Sequence, residues 1–244
     1  MKNQTINQFP ARWDFIQSVT GLILGLFIMG HILFESSILI SKEMMYKVTM
    51  MFEGYYLFGS RHPIIISILA STIFFIFILH AAAAMRKMPA KYREYRIIRN
   101  HMASLKHEDT SLWMIQVITG FAMFFLGSIH LYTMISQPEN IGPYASSYRI
   151  VEEWMWPVYI LLLFSVVSHA FIGLYRLALK WGFLEGGNTK KSRRVYKFLM
   201  RAFILVYLIA GSLSLARYIQ IGLTHDFNKS ERYQPKTVQE GQQS

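Results

Sequence analysis

The chain has 244 residues, 53% of them hydrophobic, with 18 Phe, 14 Met, no Cys and a formal charge of +11. Without cysteine it holds neither a disulfide framework nor an iron–sulfur cluster. Its apolar residues lie in runs longer than a soluble domain of this size needs, so the positive charge reads as a membrane-topology signal and not as a nucleic-acid footprint.

The runs follow one another in a simple order. Residues 18–40 ("SVTGLILGLFIMGHILFESSILI") carry only His31 and Glu35 as charged or imidazole groups, 63–85 only His80, and 112–135 only His130. Residues 156–179 carry His169 and Arg176, and 202–216 carry none. A span needs about 20 apolar residues, each rising about 1.5 Å, to cross roughly 30 Å of hydrocarbon. Five helices are therefore expected, at about 13–40, 63–86, 112–136, 155–181 and 198–223. The fold class is all-α integral membrane: one transmembrane domain over 1–223, followed by a polar tail, 224–244, that is loose or partner-bound. The longest connection, of about 25 residues, is too short for a catalytic domain. There is no glycine-rich nucleotide loop and no internal repeat of fixed period.

Charge orients the spans. The connection 86–111 holds Arg86, Lys87, Lys91, Arg93, Arg96, Arg99 and Lys106, and the one from Lys180 to Arg201 is equally basic. Loop 41–62 has only Lys42, Lys47 and Arg61, and loop 136–155 only Arg149. Short basic loops stay in the cytoplasm, which puts the amino terminus inside and the carboxy terminus outside. Trp13, Trp113, Trp154, Trp156 and Trp181 fall at the ends of the expected helices, as an aromatic belt does.

Each of the first four spans carries one histidine. His31 and His130 lie about 26 Å from the inner interface, judged by the helix rise from Trp13 and Trp113. His80 and His169 lie about 9 Å and 16 Å from it, counted back from Arg86 and Lys180. The rings thus fall into an outer pair from the first and third helices and an inner pair from the second and fourth. Intramembrane ionisable groups are costly and mark function. Facing imidazoles in a helical bundle suit the two axial positions of a low-spin haem, and Gly30, Gly127 and Ala81–Ala84 leave room nearby. A proton relay would want carboxylates, which spans two to four lack in their cores; a haem-free channel or scaffold with structural histidines is the remaining alternative.

The stretches "WDFIQSVTGLILGLFIMGHILF", "FILHAAAAMRK", "LWMIQVITGFAMFFLGSIHLY", "QPENIGPYASSYRIVEEWMWP" and "HAFIGLYRLALKWG" resemble the dihaem cytochrome b subunit of quinol:fumarate reductases, in order over about 11–185. The resemblance weakens in the fifth helix and tail. It implies that His80 and His169 bind a proximal haem and His31 and His130 a distal one. It also implies haem-propionate contacts from Gln17, Ser18, Trp113, Lys87, Lys180 and Arg149. Glu53, in "MMFEGYY", matches the carboxylate at which menaquinol loses its protons. The implied complex, in the cytoplasmic (inner) membrane, joins this subunit to flavoprotein and iron–sulfur subunits, with menaquinone as substrate, membrane lipid around it and room for a dimer of the whole. Electrons pass from menaquinol through the distal and then the proximal haem to fumarate. The same wiring run backward is a succinate:menaquinone reductase, and an anchor of a hydrogenase or formate dehydrogenase is a further alternative. One departure stands out: relatives with a transmembrane proton path carry Glu two residues before the fourth-helix histidine, where this chain has Val167. Ser165, Ser168 and Glu35 are candidate polar stand-ins, none at the same place.

Overall fold

A computed structural model describes residues 9–88, 91–105, 108–182, 189–226 and 231–235, and the descriptions below concern these residues. They contain helices and turns and no strand. Five helices are long and apolar enough to span a bilayer: α1 (Phe9–Glu35), α4 (Ile64–Met85), α6 (Glu108–Ser136), α8 (Trp156–Lys180) and α9 (Thr189–Thr224). Between them lie α2 (Lys42–Phe52), α3 (Tyr55–Phe58), α5 (Tyr92–Leu105) and α7 (Pro143–Val151).

The connections are thus more ordered than loops. α2 starts where the Ser41 side chain accepts a hydrogen bond from the Met44 amide, the usual N-cap device. It stops at Gly54, whose φ of 77° suits a residue without Cβ. Pro143 opens α7, where a missing amide hydrogen costs nothing. α9 begins at Thr189, ahead of the expected 198, because its basic first turns extend the helix beyond the apolar stretch. Of the tail, residues 231–235 pack back onto the protein; 227–230 and 236–244 lie outside the described residues, as does Lys106.

α1, α4, α6 and α8 form a closed ring in which each helix packs on the next and α8 returns to α1. α9 lies outside the ring against α8 and α1, and also meets α7. A core of Ile32, Val166, Val167, Phe171, Ile172, Met200 and Tyr207 joins α1, α8 and α9. A second cluster, Ile38, Met45, Ile150, Tyr218 and Ile221, ties the turn after α1 to α2, α7 and α9. Large apolar side chains point outward along the spans, Phe75 being 70% and Leu205 60% exposed, which is the surface lipid would cover.

Candidate functional site

In a four-membered ring, α1 faces α6 and α4 faces α8 across the axis. The histidines use both diagonals. The rings of His31 (α1) and His130 (α6) lie 6.1 Å apart between centroids, and those of His80 (α4) and His169 (α8) 6.4 Å apart. His80 sits level with Thr20, whose hydroxyl is 3.1 Å from its Nδ1, and His31 comes eleven residues later on the same helix. The two levels are therefore about 16 Å apart along the axis.

The His80/His169 level is supported by matching parts of α1 and α6. The Thr20 hydroxyl donates to the Ile16 carbonyl at 2.7 Å, so it accepts from His80 Nδ1–H. His169 Nδ1 lies 2.9 Å from the Gln116 carbonyl and 3.3 Å from the Thr119 hydroxyl. A carbonyl only accepts, so Nδ1 carries the proton here too, and in each neutral ring Nε2 keeps its lone pair for a ligand. The next residue on each helix is a glycine against the same ring: a Cβ would fall 2.9 Å from His80 Cε1 at Gly21 and 3.1 Å from His169 Cε1 at Gly120.

Sequence reasoning missed these four residues, although the signal was present. Gln17–His31 and Gln116–His130 both read Gln-x-x-Thr-Gly, nine residues, then His. Each copy supplies one histidine to the outer-pair diagonal and the Thr-Gly support to the other diagonal. A search for tandem repeats passes over two copies on separate helices.

At the basic end, Ser18, Lys87 and Lys180 come together around a residue the sequence did not single out. Asp14 carries ion pairs to Lys87 (2.8 Å), Arg86 (2.9 Å) and Lys180 (3.6 Å), and Lys180 also donates to the Ser18 hydroxyl at 3.2 Å. Gln17 Oε1 is buried without a partner, whereas Gln116 Oε1 accepts from Arg176 at 2.8 Å. Among the described residues no hydrogen bond joins Trp113, half-buried on α6, to this cluster.

At the opposite end a cavity of about 550 Å³ is lined by His31, His130, Gly30, Gly127, Arg149 and Glu35, with apolar side chains making up most of the wall. Arg149 is 3% exposed; one Nη donates to the Asn140 carbonyl at 2.5 Å, while its Nε has no partner among the described residues. The Nδ1 of His130 is buried and unpartnered as well. Glu35 accepts from the Tyr218 hydroxyl at 3.0 Å.

These features fit a haem. Two imidazoles bound to one metal through nitrogens about 2 Å away, each about 1 Å from its ring centre, have centroids about 6 Å apart. The cavity is large, mainly apolar and bordered by a buried cation with a spare donor, as a flat macrocycle with acidic side groups requires. Among the described residues no group of three or more His, Asp or Glu could hold a bare metal ion; a pair suffices when the other donors arrive with the metal.

Glu53 stands apart from the histidines. Its side chain is fully buried, not solvated, and its two oxygens meet Arg61 and Arg232. Phe52, one residue earlier, lines the cavity. Val167 is fully buried in the apolar core and Ser165 nearly so, and neither side chain is a carboxylate.

The ring of apolar helices with its histidine diagonals defines a multi-span membrane subunit built to hold a prosthetic group between helices. Comparison narrows the class. Residues 92–210 match the family described as succinate dehydrogenase/fumarate reductase transmembrane subunit. The chain is 49% identical over 220 residues to the fumarate reductase cytochrome b subunit of Wolinella succinogenes, covering 89% of this chain and 85% of that one. It is 48% and 47% identical to the proteins of the same name from two strains of Helicobacter pylori, covering 89% of this chain and 84% of each. The chain belongs to the succinate dehydrogenase/fumarate reductase transmembrane subunit family.

Proposed function

We propose that this chain is the dihaem cytochrome b subunit of a menaquinol:fumarate oxidoreductase in the cytoplasmic membrane, with its amino terminus and basic connections inside. The observation that carries the reading is the pair of histidine diagonals, 6.1 Å and 6.4 Å between ring centres at two levels of one bundle. His31 and His130 would hold a distal haem b and His80 and His169 a proximal one; when bound, each supplies a one-electron carrier. Thr20, Thr119 and the Gln116 carbonyl fix the inner ligands' tautomer, and such support normally sets ligand orientation and basicity. Arg149 would pair with an acidic group of the distal haem, and Lys87, Lys180, Ser18 and Gln17 with those of the proximal one. Trp113 is included by resemblance alone.

Glu53 would be the proton acceptor for menaquinol: two-electron oxidation of a quinol releases two protons, and a carboxylate takes them up one at a time, passing the first on before it accepts the second. Flavoprotein and iron–sulfur subunits dock on the basic inner face and reduce fumarate. Val167 argues against a glutamate-based proton path through α8.

The test is the reduced-minus-oxidised spectrum of the purified complex with and without His130→Ala. Two b-type components should become one, and quinol-driven fumarate reduction should cease. Two unaltered haems in the variant would remove His130, and with it the outer diagonal, from the account.

A further inference from the structure

A fully buried carboxylate is tolerated as an anion only when its charge is matched and its lone pairs are used. For Glu53 the matching comes from two distant parts of the chain. Arg61 belongs to the turn just before α4, where the His62 amide also donates to the Glu53 carbonyl at 2.8 Å. Arg232 belongs to the tail, 179 residues further on. It is itself mostly buried, with an Nε that has no partner among the described residues.

The segment carrying Arg232 is seated. The Glu231 carboxylate is 3.0 Å from His225 Nε2 at the end of α9. The Tyr233 ring packs on Tyr46 of α2 and Tyr144 of α7, at 5.7 Å and 5.2 Å, and its hydroxyl reaches Glu43 at 3.4 Å. Lys42 lies over the rings of Tyr144 and Tyr233, and Arg61 over Tyr46. Pro235 is buried. Residues 231–235 thus form a strap across α7 and α2 that places Arg232 on Glu53.

Building on the proposed role of Glu53, we infer that the 231–235 strap is a working part of the quinol site, with Arg232 as the positioning residue that, together with Arg61, holds the Glu53 carboxylate for proton transfer. In that step a quinol O–H bond breaks and its proton passes to a Glu53 oxygen, while the electrons would go to the haem that the outer histidine pair is proposed to hold. Arg232 touches neither quinol nor iron and acts through Glu53. Among the described residues, the charged groups facing Glu53 are Arg61 from the turn and Arg232 from the strap. On α2, Glu43 is engaged by Tyr233 and by Lys47 at 3.9 Å, and on the strap Glu231 is engaged by His225.

The experiment uses the assembled complex with a soluble menaquinol analogue, recording kcat and KM against pH for wild type, Glu53→Gln, Arg232→Gln and Arg232→Lys. Fumarate reduction by reduced viologen, which bypasses this subunit, and haem spectra report assembly. Removing one of two adjacent cations makes a carboxylate harder to ionise, so Arg232→Gln should move the acid limb of quinol oxidation about one unit to higher pH. Its kcat below that limb should fall about tenfold, and Arg232→Lys, which keeps the charge, should restore most of the profile. A role confined to holding the fold would leave the profile in place. If Glu53→Gln is inactive while the Arg232→Gln profile lies on that of wild type, the inference is overturned and Glu53 keeps its role. If Glu53→Gln still oxidises quinol, the quinol-site reading fails, and this inference with it. Arg232→Met is a second neutral variant with the same two outcomes should Arg232→Gln not assemble.

Discussion

The tightest point of the histidine diagonals is where the α1 backbone at Gly21 meets the His80 ring. A methyl at Gly21 would sit 2.9 Å from Cε1 and 3.4 Å from Nδ1, against an ordinary carbon contact of about 3.5–4.0 Å. Ring or helix must therefore yield by roughly 0.6–1 Å. Overpacking of this kind costs about 1–3 kcal/mol, and alanine's better helix propensity offsets at most about 1 kcal/mol of it. The fold tolerates such a change; a ring that serves as a haem ligand, as proposed for His80, would not, because a metal–ligand bond accommodates only about 0.2 Å. Swinging the ring away also breaks its bond to Thr20. On the proposed assignment of two haems, Gly21→Ala should therefore lower haem content from two per chain toward one, with the inner component lost and the melting temperature lowered only modestly. Gly21→Val should complete the loss, and Gly120→Ala, with 3.1 Å of clearance to His169, should show a milder version. The assays are haem stoichiometry by pyridine haemochrome, redox titration of the two components and thermal melting by circular dichroism. Two haems with unaltered potentials in Gly21→Val would refute the view that this glycine makes room for a fixed ligand.

Two further outcomes are expected. Thr20→Val keeps the shape but removes the acceptor on His80 Nδ1. The loss of about 1 kcal/mol of ligand polarisation should raise the potential of the proposed inner haem by roughly 40 mV, because a less electron-rich imidazole favours ferrous iron; Thr119→Val should do less, since His169 keeps the Gln116 carbonyl. Gly222→Ala places a methyl against the Val151 side chain and 3.0 Å from the Ser147 carbonyl. The carbonyl is α7 backbone and cannot step aside, so α9 should loosen at a cost of about 1–3 kcal/mol, seen as a lower Tm with haem spectra retained.

Much of this was legible in the chain because it depends on local properties. Hydropathy counts spans, and the helix rise converts residue number into depth, so depth alone groups His31 with His130 and His80 with His169. Ser41 and Gly54 mark the ends of α2, yet an amphipathic helix of 11 residues between spans is easily passed over as a loop. The Gln-x-x-Thr-Gly cassettes are also present in the sequence, but their meaning is not. Only packing shows that each cassette's threonine and glycine serve a histidine on a neighbouring helix.

The amino-acid sequence by itself determined a five-span, all-helical membrane protein with imidazoles at two depths, since bilayer thickness, backbone hydrogen bonding and side-chain hydropathy leave a run of apolar residues little other choice. Tertiary structure alone decided that the imidazoles meet across the diagonals of a ring, that three cations converge on Asp14, and that Arg232 of the tail closes on Glu53. Those facts concern which faces of helices meet, and that is settled by the fit of side chains far apart in the chain, to which neither hydropathy nor helical rise is sensitive.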